Sequence, residues 1–281
     1  MTPGFRIGRR LGWNLASEVA LVAVTVLALL ILVYPTVWVL IASFRTPETM
    51  FASSRWEFTL DNYVGLMQSG FGRNIANSML LCLVSVAIST VLAANAAYAF
   101  SRLRLRGRNL LFDSVLFGQT FPWIILVTPV FILCARLGLL NNPASMIFVY
   151  VAITLPFSIY LLVGYLRAVP RSLDEAAIID GASRLQIIWK IVFPVMLPGI
   201  VATATYAFLL CWSEYLFALA LLTDDEAKTM PLALYVYFGE NVTEWGNVMA
   251  ASALTTLPTL LLFLPLQTRL VSGLAAGSVK Q

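Results

Sequence analysis

A single acidic residue, Glu214, lies deep within a long apolar run, in the stretch LLCWSEYLFAL. Inside a bilayer a carboxylate costs about 2.5–3.5 kcal/mol on insertion scales, so its side chain is expected to face protein or water. Two roles are open for Glu214: a structural or gating role, and direct contact with a ligand. Trp212 and Tyr215 beside it, and Gln119 in an earlier proline-containing run, join it as candidates for gating or lining a buried path.

A second group of polar side chains lies between two apolar runs, in residues 167–198. Here Ser172 is followed three residues later by Glu175, and Ser183 three residues later by Gln186. In a Ser-x-x-Glu/Gln capping box, the two side chains satisfy free backbone N–H groups at the start of a helix. The spacing therefore predicts two helix starts within this stretch.

A proline and a glycine delimit the first of these helices. Pro170 cannot continue the preceding helix, and Gly181 can adopt the left-handed turn that ends a short one. We predict two helices at an angle, over 173–180 and 184–193, with Pro194 closing the second. Because most connections are only about 4–6 residues long, the stretch is interpreted as a rigid element presented to a partner rather than as a simple connector.

The remaining residue types argue against catalysis. The chain contains no His, which removes the commonest metal ligand and general base. It contains no Gly-rich phosphate loop, so it is not expected to bind ATP itself. Cys82, Cys134 and Cys211 lie inside apolar runs, at positions that suggest neither a disulfide framework nor a zinc site. We predict no catalytic residues, no metal site and no cofactor bound by this chain.

Composition indicates an all-α integral membrane protein. Hydrophobic residues make up 60% of the 281 residues and charged residues 11%, with a mean hydropathy of +0.86. Soluble domains average about 25% charged residues, and a membrane-spanning helix needs about 20 apolar residues. Six runs qualify, at 19–41, 75–100, 114–135, 143–166, 195–222 and 245–268. Thr154 and Pro156 are predicted to break the fourth run.

The distribution of Lys and Arg predicts the orientation. With both termini on one side of the membrane, that side holds 13 of the 18 basic residues and the other side holds 5. The positive-inside rule then places both termini and the capped stretch in the cytoplasm. This asymmetry accounts for the basic pI, so no nucleic-acid partner is predicted. The predicted organisation is a cytoplasmic segment at 1–18, a transmembrane domain at 19–270 and a cytoplasmic tail at 271–281.

The loops carry three further predictions. Four arginines alternate after the second run, at Arg102, Arg104, Arg106 and Arg108. They are expected to anchor the helix end at anionic lipid headgroups, at about 1 kcal/mol each. In the outer loop 45–73 a short helix is predicted at 59–67. The acidic outer loop 223–244 is either a solvated face or a docking surface for an outer partner, and its apolar middle, MPLALYVYF, is predicted to dip toward the membrane.

The capped stretch also carries a recognisable motif. The triplet EAA at 175–177 is followed after three residues by Gly181, and after nine more by IVFP at 191–194. This pattern resembles the cytoplasmic EAA loop of binding-protein-dependent ABC importer permeases, with Phe193 in place of the usual Leu. The wider stretch DEAAIIDGASRLQIIWKIVFPVMLPGI, with AAYAFSRLRLRGR and the terminal SGLAAGSVKQ, resembles the carbohydrate-importer subgroup, the MalG-like permeases. That subgroup often has Trp-Asn-Glu where this chain has WSE at 212–214.

The resemblance implies a type I ABC importer permease fold, with six transmembrane helices and the EAA loop at 167–194. The first capped helix would be a coupling helix seated in a cleft of a cytoplasmic ATPase, where Glu175 pairs with a basic residue and Gly181 provides the turn. The residues that the resemblance assigns to ATPase coupling are Glu175, Ala176, Ala177, Asp180 and Gly181. The implied partners are a second homologous permease subunit, a cytoplasmic ATPase dimer that holds ATP-Mg, and an extracytoplasmic solute-binding protein.

Two functions follow for a multi-pass protein of the bacterial inner (plasma) membrane. The resemblance implies a permease subunit, not itself an enzyme, of an ATP-driven importer for a sugar or sugar derivative. The alternative is an independent ion-coupled secondary transporter. Such folds usually contain inverted repeats and paired broken helices around midplane ions, and the sequence shows no convincing repeat.

Overall fold

The structure, a computed structural model, describes residues 15–51, 56–238 and 244–278, with side chains described at 17–51, 56–238, 244–262 and 264. Most of the predicted cytoplasmic segment 1–18 therefore lies outside the described residues. The helices are α1 (Leu15–Ala42), α2 (Asp61–Gln68), α3 (Phe71–Arg102), α4 (Arg108–Phe117), α5 (Trp123–Arg136), α6 (Pro143–Ala168), α7 (Ser172–Ile179), α8 (Arg184–Val195), α9 (Leu197–Trp212), α10 (Leu216–Leu221), α11 (Met230–Val236) and α12 (Trp245–Ser278). One isolated β-bridge joins Arg45 to Phe58.

Several of these helices are suited to a membrane. Within the described residues, α1, α3 and α6 are each long and apolar enough to cross a bilayer. Two bent pairs, α4 with α5 and α8 with α9, raise the number to five if each pair is one span. The 34-residue α12 occupies the predicted sixth run and continues to Ser278, beyond the predicted start of the tail at residue 271. The count of six spans is consistent with this order and stays a prediction.

The centre of the fold is the long contact between α3 and α6. Ala93 and Ala97 of α3 are fully buried, and small residues of this kind let two helix backbones approach closely in a membrane. The Thr154 hydroxyl of α6 lies within hydrogen-bond distance of Ser89 Oγ of α3, at 2.9 Å, and of Tyr150 O, at 2.7 Å. The predicted break at Thr154 and Pro156 is wrong, because α6 runs unbroken through both residues while packed along α3.

Buried residues form two hydrophobic clusters along this central pair. One contains Cys82, Tyr150 and Trp212, and it packs α9, α10, α11 and α12 against α3 and α6. The other contains Leu162 and Ile187, and it joins the ends of α3 and α6 to α7 and α8. The capped stretch is therefore part of the core at one end of the molecule.

The third predicted run is not one rod. Helices α4 and α5 meet at 95°. Phe121 and Pro122 between them are extended, at φ −76°, ψ 129° and φ −61°, ψ 126°. A proline disfavours helical geometry in the residue before it and has no N–H to continue a helix, so Pro122 ends the first segment and starts the second.

The second capped helix and the fifth run also differ from their predictions. Helix α8 contains a π-helical segment, Ile187–Val192, and passes through Pro194 to Val195. Pro194 stands at the second position of a new helical turn, where its missing N–H costs little. The chain bends instead at Met196, and α9 leaves at 80° to α8. The fifth run is then interrupted after Trp212 and resumes at Leu216.

Two loop predictions can be compared with the structure. The short outer helix forms as α2, two residues later than predicted at its start. The apolar middle of the acidic loop folds as α11, with Met230 and Leu232 buried. Because the Met230 N–H donates to Ser78 Oγ of α3 at 2.8 Å, this segment packs on the helical core.

Candidate functional site

The five coupling candidates lie in α7 and in the turn that ends it. They are Glu175, Ala176 and Ala177 within the helix, and Asp180 and Gly181 at its end. Gly181 has φ +79°, the left-handed conformation that the sequence predicted. The Gly181 N–H donates to Ile178 O at 3.0 Å and the Ala182 N–H donates to Ala177 O at 2.9 Å. This pair of bonds is a Schellman motif, so the end of α7 is closed by backbone alone.

The predicted capping box at the start of α7 is wrong. Ser172 is already inside the helix, and Arg171 at the N-cap is helical with no side-chain cap bond. The Glu175 N–H donates to Arg171 O at 3.1 Å, so a backbone carbonyl takes the donor that the Ser172 hydroxyl was predicted to satisfy. Glu175 is consequently exposed and does not serve as a cap.

The second predicted capping box is confirmed. The Ser183 N–H donates to Gln186 Oε1 at 2.8 Å, and the Gln186 N–H donates to Ser183 Oγ at 3.4 Å. Both bonds hold the start of α8 two residues after the Gly181 turn. Together they fix the angle at which α8 follows α7.

A buried ion pair ties α7 to the end of α3. Arg102 Nε lies 2.7 Å from Asp174 Oδ2, and the two side chains are only 7% and 10% exposed. Arg102 Nη2 also donates to Val169 O at 2.7 Å, and Arg171 Nη2 donates to Ser101 O at 3.2 Å. We call the Arg102–Asp174 pair the latch. It corrects the prediction that Arg102 anchors at lipid headgroups, because the Arg102 guanidinium is buried and paired with Asp174.

Burial separates the two faces of the element formed by α7 and α8. Ala177 is 4% exposed and packs in the hydrophobic cluster that contains Leu162 and Ile187. On the opposite face Ile178, Ile179 and Leu185 are 61%, 85% and 66% exposed. Exposed apolar side chains grouped in this way mark an interaction surface, and the exposed acidic Glu175 and Asp180 lie on the same short helix. The element therefore presents a fixed apolar surface with acidic groups.

The buried carboxylate Glu214 lies at the break between α9 and α10. Its Oε1 accepts the Phe217 N–H at 2.8 Å and its Oε2 accepts the Ala218 N–H at 3.2 Å. These are orphan donors of the first turn of α10, and the positive end of a helix favours a carboxylate there. Glu214 thus offsets its burial by capping a helix that restarts inside the core, which supports the structural or gating interpretation.

The other three pathway candidates belong to separate contacts. Trp212 is buried, and its Nε1 donates to Thr255 O of α12 at 3.1 Å. The ring of Tyr215 lies 5.9 Å from that of Tyr235 in α11. Trp212 and Tyr215 thus flank Glu214 at one break in the chain and contact α12 and α11 respectively. Gln119 instead lies at the α4–α5 bend and donates from Nε2 to Ile153 O of α6 at 3.1 Å.

The acidic outer loop is held against α3. Asn77 Nδ2 donates to Glu226 O at 2.8 Å, and Arg73 Nη1 lies 2.9 Å from Glu226 Oε1 in an exposed ion pair. Lys228 donates to Asp225, and this hydrogen bond lowers the pKa of the Asp225 carboxyl. Both interpretations of this loop, a solvated face and a docking surface, remain predictions.

The sequence predictions missed Asp174 and the role of Arg102. Asp174 precedes the buried Ala177 by three residues, and this helical spacing places both on the inward face of α7. Asp174 is the one acidic residue of α7 that faces inward. This spacing could have been read from the sequence, but the adjacent EAA triplet drew the interpretation to Glu175.

Comparison with known proteins identifies this arrangement. A family model described as "Binding-protein-dependent transport system inner membrane component" matches residues 89–275, more than half of the chain, including α7 and α8. The chain belongs to this family. It is a transport permease subunit of the ABC importer type and not an enzyme, since the ATPase is a separate subunit. Membership decides against the alternative of an independent secondary transporter.

Relatives resemble the permease over most of its length. It is 35% identical over 270 residues to the trehalose/maltose transport system permease protein MalG of Thermococcus litoralis, covering 94% of this chain and 97% of that one. It is 34% identical over 251 residues to the trehalose transport system permease protein SugB of Mycobacterium tuberculosis, covering 88% and 92%. A chain from a bacterial ABC transporter involved in alginate import has the same fold, with a TM-score of 0.77, 22% identity and coverage of 95% and 99%.

Proposed function

We propose that this permease forms half of the translocation pathway of an ATP-driven importer for a sugar or sugar derivative. The names of its relatives support the substrate class. Besides the trehalose and maltose systems, it is 32% identical over 257 residues to the diacetylchitobiose uptake system permease protein DasC of Streptomyces coelicolor, covering 89% of this chain and 92% of that one. The pathway would open alternately to the two sides of the membrane as a separate ATPase hydrolyses ATP.

The observation that carries the proposal is the presented surface of α7 and α8. Three exposed apolar side chains, Ile178, Ile179 and Leu185, project from an element whose other face is locked into the core. The latch ties this element to α3, which is 32 residues long. A force applied to the surface by an ATPase would therefore reach the central helix pair directly. Glu175 and Asp180 would meet basic residues of that ATPase.

The partners follow from this geometry and from the family. A cytoplasmic ATPase dimer would hold ATP-Mg, a second homologous permease subunit would complete the pathway, and an extracytoplasmic solute-binding protein would deliver the sugar. The permease would lie in the bacterial inner membrane with both termini and residues 167–194 in the cytoplasm, as the positive-inside rule favours. This chain itself would hold no nucleotide.

Glu214, Trp212 and Tyr215 are proposed to act at the break in the fifth run. Glu214 caps the start of α10 directly after the break, so its two backbone bonds stabilise α10 at the point where the angle between α9 and α10 would change. In this proposal Glu214 is a gating group rather than a sugar ligand. Gln119, just before the other bend, would similarly hold the end of the α4 segment against α6.

The test is purification of the tagged permease from its native membrane together with uptake assays for trehalose, maltose and diacetylchitobiose. We expect an ATPase and a second permease to co-purify, and uptake of at least one of these sugars to require ATP. Glu175→Lys, which places a positive charge against a basic partner, is expected to abolish both ATPase recovery and uptake. Arg136→Gln serves as the control, because Arg136 is an exposed residue of α5 and not part of the α7–α8 surface. Full ATPase recovery and uptake with Glu175→Lys would refute the coupling assignment.

A further inference from the structure

A concave surface lies between the end of α3 and the start of α4, and it is strongly basic. Its volume is 590 Å³, and none of its lining residues is acidic. The lining arginines are Arg102, Arg104, Arg106, Arg108 and Arg171. We call this surface the arginine pocket.

Two of these arginines are fixed by the fold and three are not. Arg102 is held by the latch and by Val169 O, and Arg171 donates to Ser101 O. These bonds make one wall of the pocket rigid. The other three arginines are exposed, and the ion pairs within the described part of the chain include none of them. Three exposed guanidinium groups thus line the same concave surface as this fixed wall, where they are available to an anion.

The start of α4 adds to the positive potential. Gly107 at its N-cap has φ +71° and provides no side-chain acceptor for the first N–H groups of the helix. Such groups carry the positive end of the helix dipole and favour a phosphate. The pocket therefore combines three exposed guanidinium groups, a wall held in place by the bonds of Arg102 and Arg171, and a helix start without a side-chain cap.

Helix α4 itself has the features of a segment that lies on a membrane. Leu110, Leu111 and Phe117 are 73%, 52% and 63% exposed. The 95° bend sets α4 across the direction of α5. Where α5 runs along the bilayer normal, α4 therefore runs parallel to the membrane surface, so that these apolar side chains can face the acyl chains and the arginines the headgroups.

We propose that the arginine pocket is a binding site for the phosphate of one anionic phospholipid, whose acyl chains lie along Leu110 and Leu111. Guanidinium groups bind phosphate oxygens through paired N–H donors, and Arg is suited to this geometry where Lys is not. The apolar neighbours favour a lipid over a free phosphate. Because Arg102 and Arg171 also hold α7, occupancy of this site would stabilise the latch.

The experiment uses the full-length permease with its co-purifying subunits, in nanodiscs that contain phosphatidylcholine and phosphatidylglycerol. Native mass spectrometry would count the lipids retained. We expect one tightly retained phosphatidylglycerol per permease. In the triple variant Arg104→Gln, Arg106→Gln and Arg108→Gln, affinity should fall roughly fivefold for each arginine removed, about 100-fold in all. Arg136→Gln is the matched control and should change nothing.

Further measurements distinguish this proposal from its alternatives. Replacing the same three arginines with Lys keeps the charge, so unchanged retention would mean diffuse attraction and would overturn a built site. If inorganic phosphate raises the melting temperature as much as phosphatidylglycerol does, the ligand is a free phosphate and the lipid assignment fails. If the triple Gln variant loses a co-purifying subunit but retains phosphatidylglycerol as the wild type does, the arginines belong to a protein interface and the lipid assignment fails. Should the triple variant not fold, Arg106→Gln alone is expected to lose roughly fivefold.

Discussion

At the residue scale, acidic groups in this permease divide into those used inside the protein and those presented outside. Asp174 forms a buried ion pair with Arg102, and Glu214 accepts the N–H groups of Phe217 and Ala218. Glu175, immediately beside Asp174, is exposed. Adjacent carboxylates on one helix therefore have opposite roles, because helical geometry turns one toward the core and the other toward solvent.

Glu214→Gln tests the capping role of the buried carboxylate. The amide oxygen can still accept the Phe217 N–H, but the amide nitrogen cannot accept the Ala218 N–H, which leaves one buried donor unpaired at a cost of about 1–3 kcal/mol. We expect normal assembly with the ATPase, a lower melting temperature and altered transport. Ser213→Ala, next to it and exposed, is the control and should behave as wild type. Loss of ATPase binding with Glu214→Gln would assign Glu214 to the coupling surface instead.

A double-mutant cycle tests the latch. Asp174→Leu or Arg102→Met alone leaves one buried charge unpaired, which typically costs about 3–5 kcal/mol. Replacing both removes the charges together and should recover much of that stability, as measured by thermal unfolding, although the bond from Arg102 to Val169 is lost. Glu175→Gln on the same helix should leave stability unchanged. Additive losses in the double variant would show that the two residues do not act as a pair.

At the element scale, the unit of α7 and α8 has a defined start, turn and angle. The Schellman turn at Gly181 and the capping box at Ser183 are separated by a single residue. The π-helical segment Ile187–Val192 then carries α8 to the 80° bend at Met196. Each joint is fixed by hydrogen bonds, so the element is suited to transmit a push from its exposed surface to α3 and α9.

The two serines of the capped stretch should differ. Ser172 lies within α7 and makes no cap, so Ser172→Ala is expected to leave stability within about 0.5 kcal/mol of wild type. Ser183→Ala removes a true cap and should cost about 1 kcal/mol. Thermal unfolding and sugar uptake of the two variants provide a matched comparison on one element. Equal effects of the two changes would contradict the observed caps.

Gly181→Val tests the left-handed turn. No atom lies within 4 Å of a Cβ added at Gly181, so the cost is conformational rather than a clash. A non-glycine residue at φ +79° costs roughly 1–2 kcal/mol, and a β-branched one more. We expect ATPase recovery and uptake to fail while the spans still insert. Gly164→Ala in α6 also has no atom within 4 Å, but its φ is not positive, so it should be neutral or slightly stabilising.

At the scale of the whole molecule, two hydrophobic clusters divide the described helices along the α3–α6 pair. The cluster with Leu162 and Ile187 contains residues of α7 and α8, and the cluster with Cys82 and Trp212 surrounds the break at Glu214. Buried hydroxyls of Ser89 and Thr154 connect α3 and α6 between them. A motion of α7 and α8 would thus reach the fifth run through packed helices rather than through a single residue.

Thiol labelling tests the orientation of the whole chain. Cys82, Cys134 and Cys211 are buried, and their replacement provides a background without native thiols. In intact cells, Asp225→Cys should react with a membrane-impermeant reagent, because the Asp225 side chain is 91% exposed on the proposed outer side. Ser183→Cys should react only after the cells are permeabilised. The reverse pattern would invert the proposed topology.

The sequence alone determined the membrane class, the approximate positions of the apolar helices, the EAA element and its family. These features depend on composition and local spacing, which act over a few turns of chain. Gly181 and the Ser183 box could be predicted because a left-handed turn and a capping box are local chemistry. The same reasoning failed at Ser172, where the helix begins one residue earlier on a backbone carbonyl.

Only the tertiary structure decided where the helices bend and which charges pair. The latch joins Arg102 to Asp174 across 72 positions of the chain, a separation that no local pattern encodes. The bends at Pro122 and Met196, and the unbroken passage of α6 through Pro156, depend on the neighbours against which each segment packs. Proline lacks an N–H donor wherever it occurs, and the surrounding helices decide whether that lack becomes a bend.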